Sequence, residues 1–214
     1  MTREEERQIL DRYKDVLKGY GWGPERATFT MKEPADYVTI NSITDNDSIG
    51  DERNFVRVRE AGTQDKFGDV ARVIPDHEYE VYIYLHNNAK SKYNKTGEGI
   101  SKGLKVSSWL HQIVSKEKPV VVHGVIECEN ANPPSVWNSA VFYTDSEEPV
   151  KLLYVPDSAE HRIGDLVKKL PKALLTKEGT LVGYDKLDGC LPACAEHSGY
   201  IIYRLHAVKC VDKQ

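Results

Sequence analysis

The stretch "EYEVYIYLH" (78–86) constrains the fold more than any other. In an extended chain Tyr79, Val81, Ile83 and Leu85 share one face and Glu80, Tyr82, Tyr84 and His86 the other. A period of two is what a strand with one buried face requires. The last run, "GYIIYRLHAVK" (199–209), alternates likewise, with Ile201, Tyr203, Leu205 and Ala207 on one side. Six more runs are rich in strand formers: "RATFTMK" (26–32), "RNFVRVRE" (53–60), "GLKVSSWL" (103–110), "PVVVHGVIEC" (119–128), "VWNSAVFY" (136–143) and "VKLLYV" (150–155). Clusters of Pro, Gly, Asn and Asp separate them. Strands this closely spaced predict two stacked antiparallel sheets.

Two segments depart from that pattern. In residues 1–21, Ile9, Leu10, Tyr13, Val16, Leu17 and Tyr20 fall at helical spacing. Thr2 with Glu5 forms a capping box, and Gly19 and Gly21 stop the helix, which is predicted over 3–18. Its apolar stripe either packs on the β domain (22–214) or serves as an arm through which the chain oligomerises or docks. The second is "HRIGDLVKKLPKALLTKEG" (161–179), where Ile163, Leu166, Val167 and Leu170 suggest a short inserted helix before Pro171.

With 214 residues the chain can bury a core without staples. Its formal net charge is −4 with acids and bases mixed, so no basic stripe is present to hold nucleic acid. Mean hydropathy is −0.53, and no apolar run approaches the roughly 18–20 residues of a membrane span, so membrane insertion is not expected. "MTREEERQIL" lacks the apolar core of a secretory signal, which fits a cytoplasmic protein or a trimmed exported one. Asn94-Lys95-Thr96 is a glycosylation sequon, meaningful only in a secreted eukaryotic protein.

Few motifs carry chemistry. "NSITDNDSIGDERNF" (41–55) reads first as a calcium loop. Counted from Asp45, an EF-hand would need an oxygen ligand where Ile49 stands and a Glu where Val56 stands. The alternative is a set of Asx turns at Asp45, Asn46 and Asp47, positive φ at Gly50, and charge pairing by Asp51, Glu52 and Arg53. An irregular Ca²⁺ site at Asp45, Asp47 and Asp51 stays open, and no cofactor is required. Cys190 and Cys194 flank "LPA" and are candidates for a disulfide; with His197 and Cys210 their spacing is loose for zinc, and with Cys128 all could remain thiols. No G-x-S-x-G, H-E-x-x-H or P-loop is present among the motifs for nucleophilic, zinc or phosphate chemistry, although seven His could pair with Cys194 or a Ser. Tyr82 and Tyr84, on the non-core side of their strand, either stack on a sugar or peptide or lie under covering segments. An isopeptide cross-link from Lys105 or Lys151 would need a buried Lys beside Asn or Asp.

The segments "WGPERATFTMKEPADYVTINSITDNDSIGDERNFVRVRE", "EYEVYIYLHNNA", "GVIECENANPPSVWNSAVFYTD", "LLYVPDSA" and "GTLVGYDKLDGCLPACAEHSGYIIYRL" together resemble a module of bacterial surface and secreted proteins. That module often accompanies DUF11-type repeats. The strand–"HNNA"–strand portion is itself similar to the DUF11 pattern, although "WLHQ" (109–112) stands where an "LP"-like turn is usual. The resemblance spans residues 22 to about 208. It implies an Ig-like β-sandwich displayed outside the cell and supplies no catalytic residue.

The expected function is therefore non-catalytic adhesion or recognition of a protein or glycan. The loops 41–54, 86–102 and 184–198 are the binding candidates, with Asn46, His86, Asn87, Asn88, Asp185 and Asp188 as their polar groups. Two rival readings are a carbohydrate-active enzyme using a carboxylate pair and a cytoplasmic assembly subunit docking through its N-terminal helix.

Overall fold

The structure, a computed structural model, describes residues 1–210. The chain opens with helix α1 (Arg3–Tyr13), and thirteen strands follow: β1 (Trp22–Gly23), β2 (Val56–Glu60), β3 (Val70–Arg72), β4 (Glu78–Leu85), β5 (Lys105–Leu110), β6 (Ile113–Val114), β7 (Val120–Glu127), β8 (Ser135–Tyr143), β9 (Val150–Tyr154), β10 (Glu160–Ile163), β11 (Leu166–Lys169), β12 (Thr180–Leu181) and β13 (Gly199–Lys209). They form two sheets. One runs β1-β8-β7-β5-β12, with β3 also paired to β8; the other runs β11-β10-β13-β4-β2, with β9 on β13 and β6 on β9. Among the described residues every strand pair is antiparallel except β3–β8. The mostly-β sandwich expected from the alternating runs is what the chain forms.

The core lies between the sheets and is built from the alternation. Tyr79, Val81, Ile83 and Leu85 of β4 and Ile201, Tyr203, Leu205 and Ala207 of β13 are all buried, as expected. They face Val122, Ile126, Ala140 and Phe142 of the other sheet, and Tyr79 meets Phe142 edge-on with ring centroids 5.7 Å apart. Each fully buried aliphatic or aromatic side chain contributes about 1.5–3 kcal/mol. Gly124 leaves room for the facing sheet, since a Cβ there would lie 2.6 Å from Val56 Cγ2.

The helix forms with its capping box in place, but it ends at Tyr13 rather than 18. Val16 and Leu17 donate back to the Tyr13 carbonyl in tight turns, and Gly19 (φ +77°) redirects the chain. Ile9 and Tyr13 pack on Val70, Val141 and Tyr143, the outer side of the first sheet, with Leu10, Leu17 and Tyr20 around them. The Tyr13 hydroxyl donates to the Lys116 carbonyl at 2.8 Å. The apolar stripe is thus used within the chain.

Two expectations are corrected. Residues 26–32 form no strand; Phe29 makes a single parallel bridge to Ile43, and the segment crosses between loops. The helix expected over 161–179 is instead the β10–β11 hairpin followed by one 3-10 turn, Lys172–Leu175. Gly164 (φ +52°) opens the two-residue turn, where II′ hairpins place glycine. β10 pairs with β13 over Glu160–Arg162 as well as with β11, and these ladders outweigh the helical spacing of four apolar residues. Ile163 and Leu170 are buried, whereas Leu166 and Val167 are exposed.

Candidate functional site

β4 does not end its work at Leu85. Tyr84 and His86 point to the side away from the sandwich core, yet they are only 6% and 2% exposed. Residues 39–54 fold over them. Asn41, at φ +48°, sits in the left-handed region that Asn tolerates best among residues with a Cβ. Its side chain imitates a strand neighbour: Nδ2 donates to the Tyr84 carbonyl at 2.8 Å, and Oδ1 accepts the His86 N–H at 2.8 Å. The cover is closed by Asn46, whose N–H and C=O bond both ends of Gly50. Asn46 Oδ1 accepts from Ser48 N, and Gly50 takes φ +76°, so the Asx turn and positive φ expected there are present.

Beneath this cover Glu52 is wholly buried. Its Oε1 accepts from Asn46 Nδ2 at 2.7 Å and meets His86 Nδ1 at 2.8 Å, and its Oε2 accepts from Asn88 Nδ2 at 2.8 Å. Backbone donors fix the orientation of both amides. Ser48 N–H holds Asn46 Oδ1, and Ser42 N–H holds Asn88 Oδ1, so each amide must turn its NH₂ toward the carboxylate. A carboxylate accepting on both oxygens leaves Nδ1 of His86 as the protonated nitrogen. In the neutral ring the lone pair then lies on Nε2. A buried carboxylate is retained only where such donors compensate its lost hydration. Tyr84 adds its hydroxyl to Asn46 at 3.1 Å, and burial, then the charge of Glu52, pushes that phenol up to about 12. Arg26 clamps the turn from outside, donating to the Asn41 carbonyl at 2.7 Å and Ser42 Oγ at 3.0 Å. Burial, with Arg53 nearby, pushes its guanidinium down to about 10.

His86 also lines an open cavity of about 430 Å³, together with Met31, Ile43, Asn88, Lys90 and Cys194. Among the described residues no group bonds Nε2. The other two candidate loops close the cavity. Asn87 Nδ2 donates to Gly99 O and Leu191 O at 2.8 and 2.9 Å, and Asn94 is bonded at both ends to the Ala193 backbone. Lys32, Lys90 and Lys92 stand on the rim, Lys90 and Lys92 around Asp36 at 2.7 and 4.0 Å.

The loops 41–54, 86–102 and 184–198 therefore meet at one end of the sandwich. Asn46, His86, Asn87 and Asn88 join in one network or its immediate supports. Asp185 and Asp188 do not; both are exposed, and Asp188 accepts the Cys190 N–H in its own turn. Asp45, Asp47 and Asp51 are not gathered either. Asp45 accepts the Met31 N–H at 2.7 Å, and Asp51 holds Arg53 at 2.6 Å. Among the described residues no three His, Cys, Asp or Glu side chains are grouped to hold a metal ion. Cys128, Cys190, Cys194 and Cys210 are all free thiols, so the Cys190–Cys194 bridge is not formed. Tyr82 is covered rather than presented: it lies between Phe67 and Tyr200, each 4.9 Å away. Lys105 pairs with Glu127 at 2.9 Å and is partly exposed, unlike an isopeptide lysine. Glu52 is the residue that sequence reasoning undervalued. Its position in the sequence groups it with Asp51 and Arg53 for charge pairing, whereas its partners are Asn46, His86 and Asn88.

No family model, curated protein or solved structure matches the chain. Among the described residues no helix is long and apolar enough to cross a membrane.

Proposed function

We propose that this chain is a recognition module of a bacterial surface or secreted protein, binding a small polar ligand, such as a glycan terminus, in the cavity at its loop end. The observation that carries the reading is the buried Glu52–His86 pair, which holds an imidazole with its free Nε2 in an open cavity. A fold gains little from a buried carboxylate that an apolar residue could replace, whereas a binding site gains an oriented acceptor. An Nε2 lone pair calls for a ligand hydroxyl or N–H, and Lys32, the rim lysine that does not pair with Asp36, favours an anionic substituent on it. Display outside the cell and Ig-like kinship rest on the resemblance of residues 22–208 to the surface module.

Titration with a panel of neutral and acidic oligosaccharides, followed by ¹⁵N–¹H correlation spectra, tests the proposal. Binding should move His86 Nε2 and the amides of Asn88, Lys90 and Cys194 together. A panel that shifts none of these, or ligands that bind elsewhere, would defeat it.

A further inference from the structure

We infer that Cys194 is an activated thiol that captures an acyl group from a ligand in this cavity, with His86 as its base and Glu52 as the residue that orients His86. The inference rests on the cavity being a ligand site. Cys194 lines the same cavity as His86 and is half-buried, so a small molecule can reach it. Its backbone stands at φ +105°, outside even the left-handed well that other residues visit. Strain of that kind persists where surrounding structure enforces it and clusters at functional sites. Here the enforcement is visible: Ala193 is bonded through both N–H and C=O to Asn94, and Cys194 N–H meets the Asn87 carbonyl at 3.4 Å. These contacts hold Cys194 on the wall beside the residues that follow His86.

A nucleophile, a base and a group orienting the base are the parts of a thiol–imidazole pair, whatever the fold. Because Nδ1 is committed to Glu52, Nε2 is the nitrogen free to take a proton. Among the described residues no hydrogen bond joins Cys194 Sγ to Nε2; the two groups share the wall of one cavity. The chemistry that fits is attack on an ester or thioester. The thiol proton passes to Nε2, a bond forms from sulfur to the carbonyl carbon, and the bond from that carbon to the alkoxide or thiolate breaks. The leaving group takes the proton from Nε2, leaving an S-acyl Cys194. Of the three lysines lining the cavity, Lys90 and Lys92 flank the Asp36 carboxylate, which leaves Lys32 to favour acyl donors with a negative charge.

The test uses the wild-type chain with an internal control. Iodoacetamide and iodoacetate are applied separately, and alkylation of each cysteine is followed by mass spectrometry. Cys190 is the exposed thiol and Cys194 the half-buried one, so exposure alone makes Cys190 the faster. The inference expects Cys194 to react at least about ten-fold faster, with iodoacetate preferred there over iodoacetamide relative to Cys190, and the difference to vanish in urea. His86→Gln should remove the advantage, and p-nitrophenyl succinate should leave a succinyl group on Cys194 alone. Cys194 reacting no faster than Cys190 in the folded wild type overturns the inference, as does an unchanged rate in a folded His86→Gln chain. Failure here with ligand-induced shifts intact removes only the capture step; alkylation of Cys194 about ten-fold faster without any oligosaccharide-induced shifts removes only the recognition reading.

Discussion

Replacing Glu52 is the sharpest probe of the buried network. In Glu52→Ala, the donors of Asn46, His86 and Asn88 lose their acceptor in a site with no exposed surface at residue 52. Each orphaned buried donor costs about 1–3 kcal/mol, so three give roughly 3–9. Relief from burying the carboxylate, and water entering the space it leaves, bring the total to the lower part of that range. Removing one partner of a buried pair elsewhere costs about 3–5 kcal/mol, which agrees. For a domain of this size about 2–4 °C is lost per kcal/mol, giving a fall in Tm of roughly 6–20 °C by calorimetry. Glu52→Gln separates hydrogen bonding from volume. Its amide can accept at one oxygen only, and the Ser42 and Ser48 N–H groups prevent Asn88 and Asn46 from turning to compensate. One donor must then face another, for a loss of about 1–3 kcal/mol. A Glu52→Gln chain within about 0.5 kcal/mol of wild type would refute the donor-directed network, and with it the assignment of the Nε2 lone pair.

Four other expectations follow. Among the described residues neither ring nitrogen of buried His161 has a partner, and burial, then Lys168, pushes the imidazole down to about 4, so His161→Leu should raise Tm at pH 7 by an amount worth about 1–2 kcal/mol. Because the unfolded chain protonates that ring near 6.5 and the folded chain only near 4, wild-type stability should fall as pH drops through this window by roughly 3 kcal/mol, and the variant should lose that part of the slope in urea titrations at each pH. Ile9→Ala should cost about 2 kcal/mol, and deleting residues 1–18 should cost more by baring Val141 and Tyr143; a deletion that leaves Tm unchanged but alters the sedimentation coefficient would favour docking through the helix. Gly199→Ala should destabilise by more than about 2 kcal/mol in chemical unfolding, since its Cβ would lie 2.3 Å from the Arg162 carbonyl across the β10–β13 ladder. Asp51 is held by Arg53, so Ca²⁺ followed by EDTA should leave Tm unmoved; a Ca²⁺-dependent rise would show a site that Asp45 and Asp47 help to form.

The β class and its core were legible in the sequence because a period of two has one physical outcome. "EYEVYIYLH" and "GYIIYRLHAVK" name their own buried faces: the first buries Tyr79, Val81, Ile83 and Leu85, the second Ile201, Tyr203, Leu205 and Ala207. The capping box and the glycines after α1 are equally local, and so is the Asx turn at Asn46. The hairpin at 160–169 was not legible, because four apolar residues suit a helix until β13 offers β10 a ladder. Nor was the site. Asp51 and Glu52 are adjacent acids in one turn, yet Asp51 reaches the surface to meet Arg53 while Glu52 turns inward to three donors drawn from residues 46, 86 and 88. Sequence determines which groups need partners; only the folded chain decides which partners arrive, because desolvation and hydrogen bonding act over a few ångströms that no spacing along the chain encodes.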